Sequence, residues 1–279
     1  MAAFKEFSLK KFGCTGLEKR KAGPAILNEP DDFIKIVYLK AGGSVKIDFE
    51  QFNLEQDAFF FISPGQFYEF SATCRGTMLY YNRDFYCIQI HDKEVACDGI
   101  LFRNVYEIPV VWLTASQSSI LESLITETES EMRTDDSGTE EMLRIILKQI
   151  IIKCTRIWKL QHQVKVAGAK PEVEFSRKFS QLIDAHYTER HTVADYADIL
   201  NITAKSLNKR IMQYGRETPN DLIKNRIILE AKRLLAHTTL NIKEISYKLG
   251  YEDSSYFIRF FTKNTGNSPQ KFRLSYLNT

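Results

Sequence analysis

The chain is poor in the residues that build metal centres and disulfide scaffolds, with five histidines and five cysteines in 279 residues. Their placement excludes more than their number. Cys14, Cys74, Cys87, Cys97 and Cys154 are odd in count and lack any Cys-x-x-Cys spacing, so they read as free thiols in a reducing compartment. His162, His186, His191 and His237 all fall in the second half, leaving His91 alone in the first, where no multi-histidine metal site can be assembled. Cys87, His91 and Cys97 match no zinc pattern, and Asp84, His91, Asp92 and Glu94 read as turn and surface chemistry. There is no Gly-rich phosphate loop, catalytic triad or paired-carboxylate motif, so no catalytic residue, metal or cofactor is assigned. Nothing approaches the roughly 18 apolar residues of a membrane span, and the opening MAAFKEFSLKKFGC lacks the apolar run of a secretory signal. A cytoplasmic protein with no membrane partner is expected.

What is present has the balance of a folded protein, 44% hydrophobic and 26% charged. The length suits two domains, each able to bury its own core. The net charge of +3 divides unevenly: residues 172–279 hold 17 Lys and Arg against 12 Asp and Glu, leaving 21 against 23 for residues 1–171. A basic C-terminal part beside a slightly acidic N-terminal part fits a nucleic-acid binder with a separate partner domain.

From Ile34 to about Trp112 the chain reads as short strands at Phe33–Tyr38, Ser44–Phe49, Ala58–Ile62, Gly76–Tyr81 and Phe85–His91. Gly42-Gly43 and Ser63-Pro64-Gly65 punctuate them, which predicts an antiparallel barrel or sandwich. Phe59, Phe61, Phe67, Tyr80 and Phe85 are candidates for its interior. The period then changes: helices are predicted over Ser116–Arg133 and Thr139–Trp158. The second is apolar on more than one face, through Met142, Leu143, Ile145, Ile146, Leu147, Ile150, Ile151, Ile152 and Ile157. One face is expected on the barrel and another on a partner copy, with burial of both inside one subunit as the alternative. Residues 161–174 read as a linker.

Beyond it the sequence repeats at about 49 residues, each copy reading helix, tight turn, helix. Thr192 with Asp195, and Asn241 with Glu244, place a capping side chain three residues ahead of a carboxylate. Val193, Tyr196, Ala197 and Leu200 match Ile242, Ile245, Ser246 and Leu249. Asn201 and Gly250 then occupy a turn that needs a positive φ, with Ile202 and Tyr251 plugging the core beneath. The second helices start near Thr203 and Asp253 and bury Leu207 with Ile211 and Phe257 with Phe261. Their other faces offer Lys205, Ser206, Asn208 and Lys209 in one unit and Ser254, Ser255, Arg259 and Lys263 in the other, donors suited to base edges and phosphates. Thr218-Pro219 opens a long amphipathic helix between the units through Leu222, Ile223, Ile227, Ala231, Leu234 and Leu235. It reads as a spacer for two recognition helices in successive major grooves, roughly 34 Å apart.

Across about residues 175–276 the sequence resembles the AraC/XylS family of bacterial transcription regulators. The densest match is Gly250-Tyr251-Glu252-Asp253, Tyr256-Phe257-Ile258-Arg259-Phe260-Phe261 and Thr265-Gly266-Asn267-Ser268-Pro269-Gln270-Lys271-Phe272-Arg273, joined by Ile223, Arg226, Ala231 and Leu234-Leu235. Asn201, where the family usually has Gly, together with Arg210 and Met212, departs from the pattern. The resemblance implies a sequence-specific, non-enzymatic regulator with double-stranded DNA as partner and Thr203, Lys205, Ser206, Asn208, Lys209, Ser254, Ser255, Arg259 and Lys263 on its reading faces. Ile62-Ser63-Pro64-Gly65-Gln66 is similar to a turn of the cupin-type barrel many members carry. The implied organisation is a cupin-like antiparallel β-barrel sensor domain over 1–115, helices for dimerisation over 116–160, the linker, and an all-α DNA-binding domain over 175–279, with units at about 192–213 and 241–264. A homodimer and a small-molecule effector follow from the same resemblance, with RNA polymerase a further candidate partner. A regulator without an effector, whose barrel only mediates dimerisation or protein contacts, and more remotely a cupin enzyme fused to a DNA-binding domain, are the alternatives.

Overall fold

The computed structural model describes residues 2–17, 33–86, 101–102, 108–162, 171–213 and 217–277. It divides into two compact units, Met1–Val166 and Ala167–Thr279. Cys87, His91 and Cys97 lie outside the described residues.

The N-terminal unit contains nine strands among the described residues: β1 (Ala2–Phe7), β2 (Lys10–Gly16), β3 (Ile34–Leu39), β4 (Ser44–Ile47), β5 (Glu50–Asn53), β6 (Ala58–Ile62), β7 (Tyr68–Phe70), β8 (Gly76–Tyr81) and β9 (Val110–Trp112). They form an antiparallel six-stranded sheet ordered β1-β2-β8-β3-β6-β9 and an antiparallel three-stranded sheet ordered β5-β4-β7. The central strands β3 and β6 are apolar almost throughout because both faces of the larger sheet are covered. Val37, Leu39, Phe60, Ile62, Met78 and Tyr80 share one core with Val45 and Ile47 of the smaller sheet. Ile36, Tyr38, Phe59, Phe61, Leu79 and Tyr81 share the other with two helices, α1 (Ala115–Glu131) and α2 (Thr139–Gln161). Complete burial of a Phe such as Phe59, Phe60 or Phe61 stabilises by about 1.5–3 kcal/mol.

This arrangement corrects the expected interior. Of the five aromatic candidates, Tyr80 lies between the sheets, whereas Phe59, Phe61 and Phe85 face the helices and Phe67 is half-buried before β7. Two further differences concern strands. Ser44–Phe49 stops at Ile47 because Asp48 takes φ 52°, turning the chain while its carboxylate accepts from Gln66 and Phe67. Phe85 and Tyr86 form a turn on the Asn82 carbonyl, and the remainder of the strand expected to reach His91 is outside the described residues.

Helix α1 opens with a reciprocal capping box between Thr114 and Gln117. Helix α2 buries Leu143, Ile146, Leu147, Ile150, Ile151 and Cys154 within its own unit. Most of its excess apolarity is thereby accounted for, and Met142 and Ile145 of α2 with Ile120 of α1 remain exposed. Among the described residues no helix is long and apolar enough to cross a membrane.

The C-terminal unit is all helical: α3 (Pro171–His186), α4 (Val193–Ile199), α5 (Ala204–Met212), α6 (Pro219–His237), α7 (Ile242–Lys248), α8 (Ser254–Thr265) and α9 (Pro269–Leu277). Helix α3 begins at Pro171, inside the segment read as a linker. It places Phe179 against Tyr196 edge to face at 5.7 Å, one turn from buried Ile183.

Candidate nucleic-acid interface

The paired helices α4–α5 and α7–α8 are built on one hydrogen-bonding frame. Thr192 and Asn241 each cap the amide three residues on, and Asp195 and Glu244 return a carboxylate to the cap's own amide. In the first turn the Ile202 amide donates to Ala197 and that of Asn201 to Asp198; in the second, Tyr251 donates to Ser246 and Gly250 to Tyr247. The left-handed residues stand where the sequence places them, with φ 52° at Asn201 and 81° at Gly250. Ala197 and Ser246 are buried at the helix crossing. A methyl on Gly250 would lie 1.7 Å from the Thr188 carbonyl oxygen, so the second turn needs glycine for close approach as well as for its φ.

Three contacts tie this frame together. His191 places Nε2 3.0 Å from the Leu249 carbonyl and its ring 4.5 Å from Tyr251, joining the start of the first unit to the turn of the second. Burial pushes the His191 pKa below the ordinary histidine value, overriding its hydrogen bonds to backbone carbonyls and the nearby Asp195. Arg226 of spacer helix α6 stacks on Tyr187 at 3.9 Å while bonding Asp184 at 2.9 Å and Glu230 at 3.0 Å. Arg273 of α9 donates to the carbonyls of Leu235 and Leu240, the end of α6 and the entry to α7. Arg226 thus ties the middle of the spacer to α3 and the residue after it, and Arg273 ties its end and the entry to α7 to α9.

Helix geometry decides which polar residues share a face. At about 100° per residue, Leu207 with Ile211 in α5 and Phe257 with Phe261 in α8 fix the buried direction. Opposite them stand Lys205 and Lys209 in α5 and Ser255, Arg259 and Lys263 in α8, all exposed, with half-buried Ser206 beside Lys209. Two expected readers fall elsewhere. Asn208 lies roughly 100° from Lys209 around the helix, and its amide donates to Ala204 in its own helix at 2.9 Å. Ser254 is half-buried and roughly 140° from Arg259. Thr203 is the N-cap of α5, its hydroxyl accepting from the Ser206 amide.

The faces also hold residues that the sequence reading passed over. Met212 and Gln213 extend the first face, Met212 with 47% of its surface exposed. Tyr256 sits beside Arg259 in the second. An i, i+3, i+4 count from Lys209 and Arg259 would have found all three. Arg210 points away from this face, stacking on Phe175 of α3 at 3.7 Å. Among the described residues no three His, Cys, Asp or Glu side chains are grouped to hold a metal ion.

Comparison with known proteins agrees with this architecture. The family model described as a helix-turn-helix domain matches residues 196–275. The HTH-type transcriptional regulator YijO of Escherichia coli (strain K12) is 26% identical over 189 residues, covering 67% of this chain and 63% of that protein. The HTH-type transcriptional activator Btr of Bacillus subtilis (strain 168) is 24% identical over 233 residues, 82% of this chain and 42% of that protein. The chain therefore spans less than two thirds of the length of these relatives. The crystal structure of ToxT from Vibrio cholerae aligns over 98% of each chain at 14% identity with a TM-score of 0.45. With two hydrogen-bonded turns of the same construction on an anchored spacer, and with its match spanning most of both units, the C-terminal unit is a helix-turn-helix domain of the AraC type.

Proposed function

We propose that the chain is a cytoplasmic, sequence-specific transcription regulator that reads double-stranded DNA with α5 and α8. The observation that carries this reading is the pair of matched turns presenting Lys205, Ser206 and Lys209 from one helix and Ser255, Arg259 and Lys263 from the other, each set opposite a buried apolar stripe. Helices so presented enter major grooves, where cationic and polar donors meet bases and phosphates. In this reading Thr203 and Ser254, at the helix starts, are assigned to backbone phosphates, and Asn208, whose amide donates to Ala204, to α5 itself. The test is selection of bound sequences from genomic DNA by the full chain. A recovered common motif, with affinity falling steeply as salt rises, supports the reading; equal affinity for all duplexes removes it.

The N-terminal unit, with its own two-sided core, acts as the regulatory part, taking a small-molecule effector that changes how the DNA-binding units are presented. The domain limits proposed from the sequence are kept, with the linker shortened to end before Pro171. A second reading, in which this unit serves only association, is favoured by the exposed Ile120, Met142 and Ile145 on neighbouring helices. Light scattering separates a homodimer from a monomer at micromolar concentration, and Ile145→Glu should dissociate the dimer. Thermal-shift screening of small molecules against the same protein distinguishes an effector-responsive unit from one that only associates. RNA polymerase is the remaining proposed partner.

A further inference from the structure

The matched faces carry different chemistry at matched positions. Where α5 has Lys205, Ser206 and Lys209, α8 has Ser255, Tyr256 and Arg259. Tyr256 is 58% exposed, beside the exposed Ser255 and one turn from the exposed Arg259. Its ring is fixed from beneath by Tyr251 at 5.9 Å, itself buried against Phe257 at 5.5 Å and Phe260 at 5.7 Å. From the side, the Arg259 guanidinium carbon lies 5.9 Å from the Tyr256 ring centroid. Among the described residues Arg259 forms no ion pair with a carboxylate, so its planar donor fork is exposed beside the aromatic ring and not engaged by an acidic side chain.

We propose that Tyr256 and Arg259 form a single reading element for a guanine and a thymine on neighbouring base pairs; this rests on the DNA-binding function proposed above. Guanine presents O6 and N7 to the major groove as two acceptors that a guanidinium matches with two parallel donors. Thymine presents a C5-methyl, the apolar group there, which suits the face of an aromatic ring. Residues three apart on a helix are separated by about 4.5 Å along its axis. Bases on one strand are separated by about 3.4 Å, so the two contacts fall on adjacent steps. The first unit lacks this element. Ser206 has no apolar platform and Lys209 is a flexible point charge, a pairing suited to phosphate oxygens and register. The second recognition helix therefore contributes the narrower base preference and the first the broader grip.

The test uses the full chain and duplexes selected from a random library, followed by single-atom changes in the bound sequence. The second unit's half of the motif should contain adjacent guanine and thymine. Replacing that thymine by uracil, which removes only the methyl, should weaken the wild type about fivefold. Replacing the guanine by 7-deazaguanine should weaken it about tenfold. Tyr256→Ala should abolish the response to uracil, and Tyr256→Phe should keep it. Arg259→Ala should abolish the response to 7-deazaguanine, whereas Lys209→Ala should keep both responses. If a motif is selected but methyl removal costs nothing, or if Tyr256→Phe binds as poorly as Tyr256→Ala, the ring is not reading thymine and this proposal is overturned while DNA reading stands. If no motif is selected, the function proposed above fails with it.

Discussion

The two helix-turn-helix units share a backbone and differ in what the backbone is made to tolerate. Caps, turn hydrogen bonds and small residues at the helix crossing recur in both, so these features set the shape. The turn residue itself does not recur. Asn201 at φ 52° and Gly250 at φ 81° are both exposed, but only at Gly250 would an added Cβ meet a backbone carbonyl, that of Thr188. The first turn asks only for a left-handed conformation, which asparagine reaches at small cost. The second asks also for the absence of a side chain. Gly250→Ala should accordingly have a far larger effect than a change at Asn201, combining left-handed strain with a backbone clash and costing about 3 kcal/mol or more. Urea unfolding of the full chain measures it, and a loss below about 1 kcal/mol would show that the α3–α4 connection yields instead.

The recognition faces sharpen the contrast from the side of function. Arg259→Ala should weaken binding to the selected operator by about 2 kcal/mol while leaving binding to random duplex less affected, because a base contact is lost. Lys209→Ala should cost less, and nearly equally on both DNAs, and should reduce the slope of log affinity against log salt by about 1. Equal behaviour of the two variants in a titration over salt would break the division of labour between the units.

A smaller effect tests the joint between them. His191 is half-buried against Leu249 and Tyr251, and burial lowers its folded pKa below that of the unfolded chain. Below the unfolded value, about 6.5, the unfolded state takes up a proton that the folded state resists, so stability falls as pH drops and the loss levels off once the folded histidine also titrates. Asp195 responds in the same sense at lower pH. Burial alone would raise it, but hydrogen bonds from Thr192 and the His191 amide hold it below the usual range. Unfolding measured from about one pH unit above to about one below the roughly 6.5 reference should show the decline. His191→Gln should flatten it; an unchanged slope in that variant would assign the effect to another group.

How far the sequence was legible follows the same physics. The repeated units were readable because capping boxes and left-handed turns demand particular residues at particular offsets. Ala58–Ile62 was readable as a strand but not as to facing, since a run buried on both sides carries no alternation. Strands β1 and β2 show no strand pattern: Lys5 on the edge strand and Lys10 and Lys11 on its neighbour interrupt the apolar pattern, and only pairing from Phe12 to Tyr81 reveals their place. β5 and β7 are four- and three-residue strands with polar members at the edges of a small sheet, too short to show a period. At the candidate interface, Asn208 and Ser254 have residue types suited to a reading face, but the angle around the helix, which residue type does not reveal, sets them apart from Lys209 and Arg259. Tyr256 was passed over because an aromatic residue between Ser255 and Phe257 reads as part of a core pattern.

The smallest predicted effect is the one that isolates the comparison. Asn201→Gly leaves the left-handed φ available, removes an exposed side chain and disturbs neither the Asn201-to-Asp198 nor the Ile202-to-Ala197 hydrogen bond. Glycine adopts that φ without steric cost but gives the unfolded chain more freedom to lose, and the two contributions oppose each other. The net change should stay within about 0.5 kcal/mol, against the several expected at Gly250. A large loss on Asn201→Gly would mean that the asparagine side chain itself holds the first turn. Near-neutrality shows instead that the backbone conformation alone is required there, and that the demand for glycine in the second unit comes from its packing under Thr188.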